Sequence, residues 1–161
     1  MLASKLPVFS IQKEEVVQIF NQQLENCGVE YFDYFLLHNM NIHHYNSVVK
    51  SCKMFEHDSA DVLDLILSEH PEIEAVQIAL NYYDWNSAFI QAKACFEVIR
   101  KYQKQVIIME PVKGGMLANP PKNSNLTADA SLALRFCGEL DGVLAILSEM
   151  SLLETYNSCM I

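Results

Sequence analysis

At 161 residues, 51% hydrophobic and 19% charged, the chain can bury one sizeable core, which excludes a disordered or low-complexity protein. Its formal charge of −9 excludes a general affinity for nucleic acid or anionic membrane, because both polyanions need clustered Lys and Arg. The five cysteines, Cys27, Cys52, Cys95, Cys137 and Cys159, form no Cys-x-x-Cys pair, a pattern of free thiols in a reducing compartment and not of an iron–sulfur or zinc-ribbon site.

In chain order, "LASKLPV" reads as a short strand. "SIQKEEVVQIFNQQLENCG" follows as a helix, with Ser10 as cap, acidic residues near its start and Gly28 at its end. "YFDYFLL", residues 31–37, is a second strand that stops abruptly at His38. The polar "HNMNIHHYNS" leads into a short helical piece near "VVKSCKMFEH", and Ser59 then caps the helix "ADVLDLILSEH". "EAVQIAL" is the third strand, "SAFIQAKACFEVIRKYQ" a helix and "QVIIME" the fourth strand. "PVKGGMLANPPKNSN" is a loop by its prolines, glycines and asparagines. "TADASLALRFCG" is a helix, "GVLAIL" the fifth strand, and "SLLETYNSC" opens a last helix.

Near-continuous apolar strands alternating with helices indicate an α/β fold with a parallel sheet covered on both faces. Closed TIM-type barrel and open doubly wound sheet of flavodoxin type both permit this element order. In either, chemistry sits at the carboxyl ends of the strands. Those ends are His38, Leu80 and Asn81 with Gln77 inside the third strand, Glu110 and Pro111 ahead of Gly114 and Gly115, and Ser148. His38, His43, His44 and His57 with Cys52 offer zinc donor atoms, but their spacing matches no compact ligand set, so no metal is expected. "KEE" at 13–15 reads as a solvated helix face and Trp85 as packing. No cleavage pattern opens the chain, and no run approaches the ~20 apolar residues of a membrane span. The expectation is a soluble cytoplasmic protein with no membrane or nucleic-acid partner.

"LASKLP", "GVEYFDYFLLHN", "VQIALNYYDWN", "VIIMEPVKGGMLA" and "ILSEMSLLE" resemble, in order, barrel strands of the aldo/keto reductase superfamily. The likeness is to its "predicted oxidoreductase" branch, whose full-length members carry a C-terminal ferredoxin-like domain. The resemblance implies a single domain over 1–161 with about five parallel strands and flanking helices, a partial TIM (β/α)8-type barrel. It further implies NAD(P)H-dependent hydride transfer to a small-molecule carbonyl through an Asp, Tyr, Lys and His tetrad. Lys5 matches the tetrad lysine and His38 the tetrad histidine. Hydride addition leaves negative charge on the carbonyl oxygen, so a histidine donor at a strand end and a lysine that lowers a tyrosine pKa suit the chemistry.

The same resemblance places two strands before the lysine strand, carrying the aspartate and the tyrosine acid, and a further helix and strand between "YFDYFLL" and "EAVQIAL". None of these has a match here, so the reading is of an incomplete barrel, inactive alone. Tyr34 shares a face with His38 but lies roughly 13 Å along the strand, and Tyr82 and Tyr83 read as packing. For the cofactor, NADP or NAD, the resemblance puts Gln77 beside the nicotinamide and Met109, Glu110, Pro111, Lys113, Gly114 and Gly115 along the pyrophosphate. Ser148, Met150, Ser151, Glu154 and Asn157 match the segment holding the adenosine phosphate. Glu149 stands where glycine is usual, and its carboxylate opposes a phosphate, so weak binding is expected. Exposed sheet edges imply self-association. The second functional reading is a non-catalytic interaction or scaffold protein derived from a reductase.

Overall fold

In the computed structural model of the protein, the residues described are 2–8, 11–38, 54–56, 59–120, 125 and 129–148. They divide into two units, Met1–Gln77 and Ile78–Ile161, so that one strand contributes residues to both.

The first unit opens with β1 (Ala3–Leu6), a 3-10 turn over Lys13–Glu15 and α1 (Val16–Cys27). Glu15 braces the 3-10 turn ahead of this helix, its carboxylate accepting from the Gln12 N–H at 2.7 Å, while Ser10, the expected cap, lies outside the described residues. Gly28 ends it in the left-handed region at φ 65, where its own N–H and that of Val29 return to Glu25 and Leu24 carbonyls. β2 (Tyr34–Leu37) pairs parallel with β1, Ala3 to Tyr34 through Leu6 to Leu37. α1 covers one face of this pair. Ser4 donates to Gln23 at 2.7 Å, and Phe20 packs edge-on against Phe35 at 4.9 Å, in line with the Ser4↔Phe35 register.

The sequence suggests a helical piece at "VVKSCKMFEH" and no strand between "YFDYFLL" and "EAVQIAL". The structure corrects this for the described part: β3 (Met54–Glu56) pairs parallel with β2 on one side and with β4 (Ala75–Ala79) on the other. Three residues carry no periodicity that separates strand from helix, and pairing with a neighbour on each side is what meets their backbone hydrogen bonds. The described chain therefore has the five expected strands and one short strand more.

α2 (Ala60–Glu69) turns Leu63, Ile66 and Leu67 into the core of the first unit. Ser59 occupies the expected N-cap position in an extended conformation, but its side chain makes no capping hydrogen bond.

In the second unit, Leu80 continues β4 by donating from its N–H to the Met109 carbonyl of β5 (Gln105–Met109) at 3.1 Å. β6 (Val143–Ile146) pairs parallel with β5, and a register shift between Val106 and Ile107 leaves Leu144 as the extra residue. α3 (Ala92–Lys101) starts five residues later than the sequence pattern suggested. Ser87 caps a turn ahead of it by accepting from Ile90, and Gln91 sits at φ 55, which no helix interior tolerates. α4 (Ala130–Gly138) is capped by Asp129, which accepts from the Leu132 N–H at 2.9 Å. The last helix expected, "SLLETYNSC", lies outside the described residues.

In each unit every strand lies beside its predecessor in the chain. An open flavodoxin-type sheet needs β1 inserted between β2 and the next strand, whereas here β2 lies between β1 and β3. Ala75 to Ile78 of β4 and Val106 to Ile108 of β5 are buried on successive positions, as parallel strands covered on both faces require.

Candidate cofactor cleft

Lys5 and His38 stand at the carboxyl ends of adjacent strands in the first unit. Lys5 is in register with Leu36, and the His38 N–H donates to the Leu6 carbonyl at 2.9 Å, extending the β1–β2 ladder by one residue. Strand alternation puts Leu36 and His38 on the face of Lys5, with Lys5 and His38 about 8 Å apart by strand geometry. Because α1 covers the Ser4 and Phe35 face, this is the opposite face, away from the helix. Both side chains are half-buried, as is Tyr34 further back on the same face. Gln77 is 2% exposed within β4.

The second unit brings the loop residues together. Met109, Glu110, Pro111, Gly114, Gly115 and Ser148, with Val112, Ile146 and Leu147, line a cleft of about 750 Å³ at the carboxyl ends of β5 and β6. Met150, Ser151, Glu154 and Asn157 lie outside the described residues, as do Glu149, His43, His44, Cys52 and His57. Lys113 belongs to the same loop but does not line the cleft.

Loop 110–115 is wound unusually tightly. Glu110 (φ 57), Lys113 (φ 52), Gly114 (φ 58) and Gly115 (φ 86) all adopt the left-handed region, which costs a non-glycine residue about 1 kcal/mol or more. Surrounding bonds hold it there. The Lys113 N–H donates to the Glu110 carbonyl at 3.0 Å, and the Gly114 N–H to the Glu110 carboxylate at 2.7 Å. The Lys113 ammonium donates to both Asp84 oxygens, at 2.6 and 2.5 Å, and lies 5.2 Å from the centre of the Tyr83 ring. Asn81, 2% exposed, ties the turn after β4 to the same loop: its Nδ2 donates to Asp84 and to the Glu110 carbonyl, each at 3.1 Å. Its Oδ1 in turn accepts from the Asp84 N–H at 2.8 Å.

Sequence reasoning reached Asn81 as a strand end but missed Asp84. The available signal was the N-x-x-D spacing of an Asx turn immediately after an apolar strand. Tyr82 packs edge-on against Phe136 at 6.3 Å, and Trp85 packs against both Phe96 and Phe136. Both rings are thereby engaged in packing.

The cleft fits the central part of a dinucleotide. It is large enough, Gly115 leaves open space where a side chain would stand, and the Gly114 N–H already holds an anionic oxygen, the chemistry a phosphate offers.

Parallel strands in chain order, with a glycine loop and a cleft at their carboxyl ends, define a fold of (β/α)-barrel type. Solved structures agree. The chain is similar to the aldo-keto reductase AKR11C1 from Bacillus halodurans in its holo form (TM-score 0.67, 15% identity, 99% of this chain and 64% of that one). It is also similar to an aldo/keto reductase from Klebsiella pneumoniae in complex with NADP and acetate (TM-score 0.68, 14% identity, 98% and 62%). A third is the thermostable aldo-keto reductase Tm1743 in complex with the inhibitor epalrestat (TM-score 0.70, 15% identity, 98% and 63%). The chain thus spans less than two thirds of the length of these proteins, and its fold is that of a partial TIM-type barrel. No curated protein matches it. The model of the aldo/keto reductase family matches residues 1–140, and the chain belongs to that family.

Proposed function

We propose that the chain carries part of the machinery of an NAD(P)H-dependent carbonyl reductase, and that these 161 residues alone bind the cofactor weakly and do not turn it over. The observation that carries the reading is the gathering of Met109, Glu110, Pro111, Gly114, Gly115 and Ser148 around one cleft at the strand ends. Membership of the family and the fold of an NADP-bound neighbour support it.

The bound nicotinamide would supply the hydride. Lys5 and His38 would act at the carbonyl oxygen: His38 donates a hydrogen bond to the oxygen as negative charge develops, and Lys5 adds a cation on the same face. General acid catalysis is worth typically 10²–10⁴-fold, and the tyrosine acid that the family resemblance implies has no match in these 161 residues. With NADPH or NADH and a simple aldehyde, the purified chain should show no reduction above background. Robust reduction abolished by His38→Ala would contradict this and point to another side chain or water as the acid.

A second reading, an interaction protein that assembles with copies of itself, draws on β6. All four of its apolar residues, Val143 to Ile146, are half-exposed. Among the described residues β6 ends the strand order, and an apolar edge strand favours pairing with another chain. Light scattering at micromolar concentration should then report a dimer or larger species, and a stable monomer would dismiss this reading.

A further inference from the structure

The Glu110 carboxylate folds back onto its own loop. Its Oε2 accepts from the Gly114 N–H at 2.7 Å and lies 3.9 Å from where a side chain on Gly114 would begin. Both residues line the cleft. Lys113, the cation of this loop, is turned onto Asp84 and away from the lining. The described cleft wall thus carries a carboxylate and no cation. An N–H suited to an anion is held by an anion that belongs to the protein.

We propose that Glu110 is an internal anion that occupies the Gly114 amide in place of a ligand phosphate oxygen, so that the cleft accepts a phosphate-bearing ligand only when Glu110 swings out. The proposal rests on the dinucleotide reading above and adds the residue that sets the affinity. A phosphate oxygen reaching Gly114 must displace a charge-assisted hydrogen bond and then share the cleft with a like charge. Displacement is feasible because the Glu110 residue is exposed to solvent, whereas Lys113 is held twice over by Asp84.

Calorimetric titration of the full chain with NADPH, and separately with inorganic pyrophosphate, tests it. Glu110→Gln keeps the shape and an acceptor for Gly114 but removes the charge, while Glu110→Ala removes both. Affinity for either ligand should rise in the order wild type, Gln, Ala, by about tenfold or more at the last step. Measurable affinity that is equal or weaker in the variants overturns the proposal alone. Failure of all three proteins to bind either ligand overturns the dinucleotide reading and the proposal with it. Should the variants not fold, the wild-type chain suffices: the Gly114 amide resonance should move on adding pyrophosphate as it changes acceptor. A fixed Gly114 resonance alongside saturable binding would overturn the proposal.

Discussion

The Lys113 ammonium is clamped by both carboxylate oxygens of Asp84, with the Asp84 side chain only 12% exposed. This bidentate contact joins the turn after β4 to the loop after β5, and Asn81 doubles it by bonding to Asp84 and to the Glu110 carbonyl. Two non-glycine residues, Glu110 and Lys113, are thereby kept in the left-handed region beside Gly114 and Gly115. The shape of the cleft follows from a lock that lies outside it.

Breaking the lock should destabilise the protein. Asp84→Ala leaves the half-buried Lys113 ammonium without its carboxylate and removes an acceptor from the buried Asn81, a loss of about 2 kcal/mol. Lys113→Met should lose less, because Asp84 keeps the Asn81 donor. Urea denaturation of the three proteins checks the order, and a negligible shift for Asp84→Ala would show that the contact does not hold the loop.

Gly142 sits at φ 79, and a Cβ there would run into the Arg100 guanidinium. That guanidinium donates to the Lys104 carbonyl at 3.0 Å and to Asp141 at 2.8 Å. Gly142→Ala should cost about 1–2 kcal/mol, part from the left-handed backbone and part from displacing the arginine. In an Arg100→Ala background the steric part disappears, so the penalty of Gly142→Ala should fall. An unchanged penalty would place the whole effect in the backbone.

Burial pushes the Cys137 thiol up from 9.0 to about 11. Because the folded state favours the neutral thiol, its contribution to stability is fully present below pH 9 and is lost as pH rises toward about 11. The urea midpoint should fall over that window, and the fall should be smaller in Cys137→Ala. In native protein at pH 8, a thiol reagent should label exposed Cys27 well before buried Cys95 and Cys137. Fast labelling of Cys137 would mean that α4 opens readily.

Much of this fold was legible because burial wrote it into local runs. Apart from their end residues and the buried Gln77, "EAVQIAL" and "QVIIME" are apolar, as parallel strands covered on both faces are, and Gly28 announced the end of α1 through the left-handed cap it supplies. β3 escaped because three residues paired on both sides owe their conformation to neighbours distant in sequence. The loop residues of the cleft could be read from their glycines and the resemblance they carry. The direction of Lys113 could not, because it is set by Asp84, 29 residues earlier in the chain, and the same holds for the bond between Glu110 and Gly114, whose geometry depends on four left-handed residues.

We propose that the loop 109–115 and Ser148 form the seat of a dinucleotide. NADPH fluorescence, followed as the chain is titrated in and then displaced with inorganic pyrophosphate, tests it most directly. The account predicts a saturable change of weak affinity that pyrophosphate reverses. No saturable change, or one that pyrophosphate leaves untouched, would contradict it.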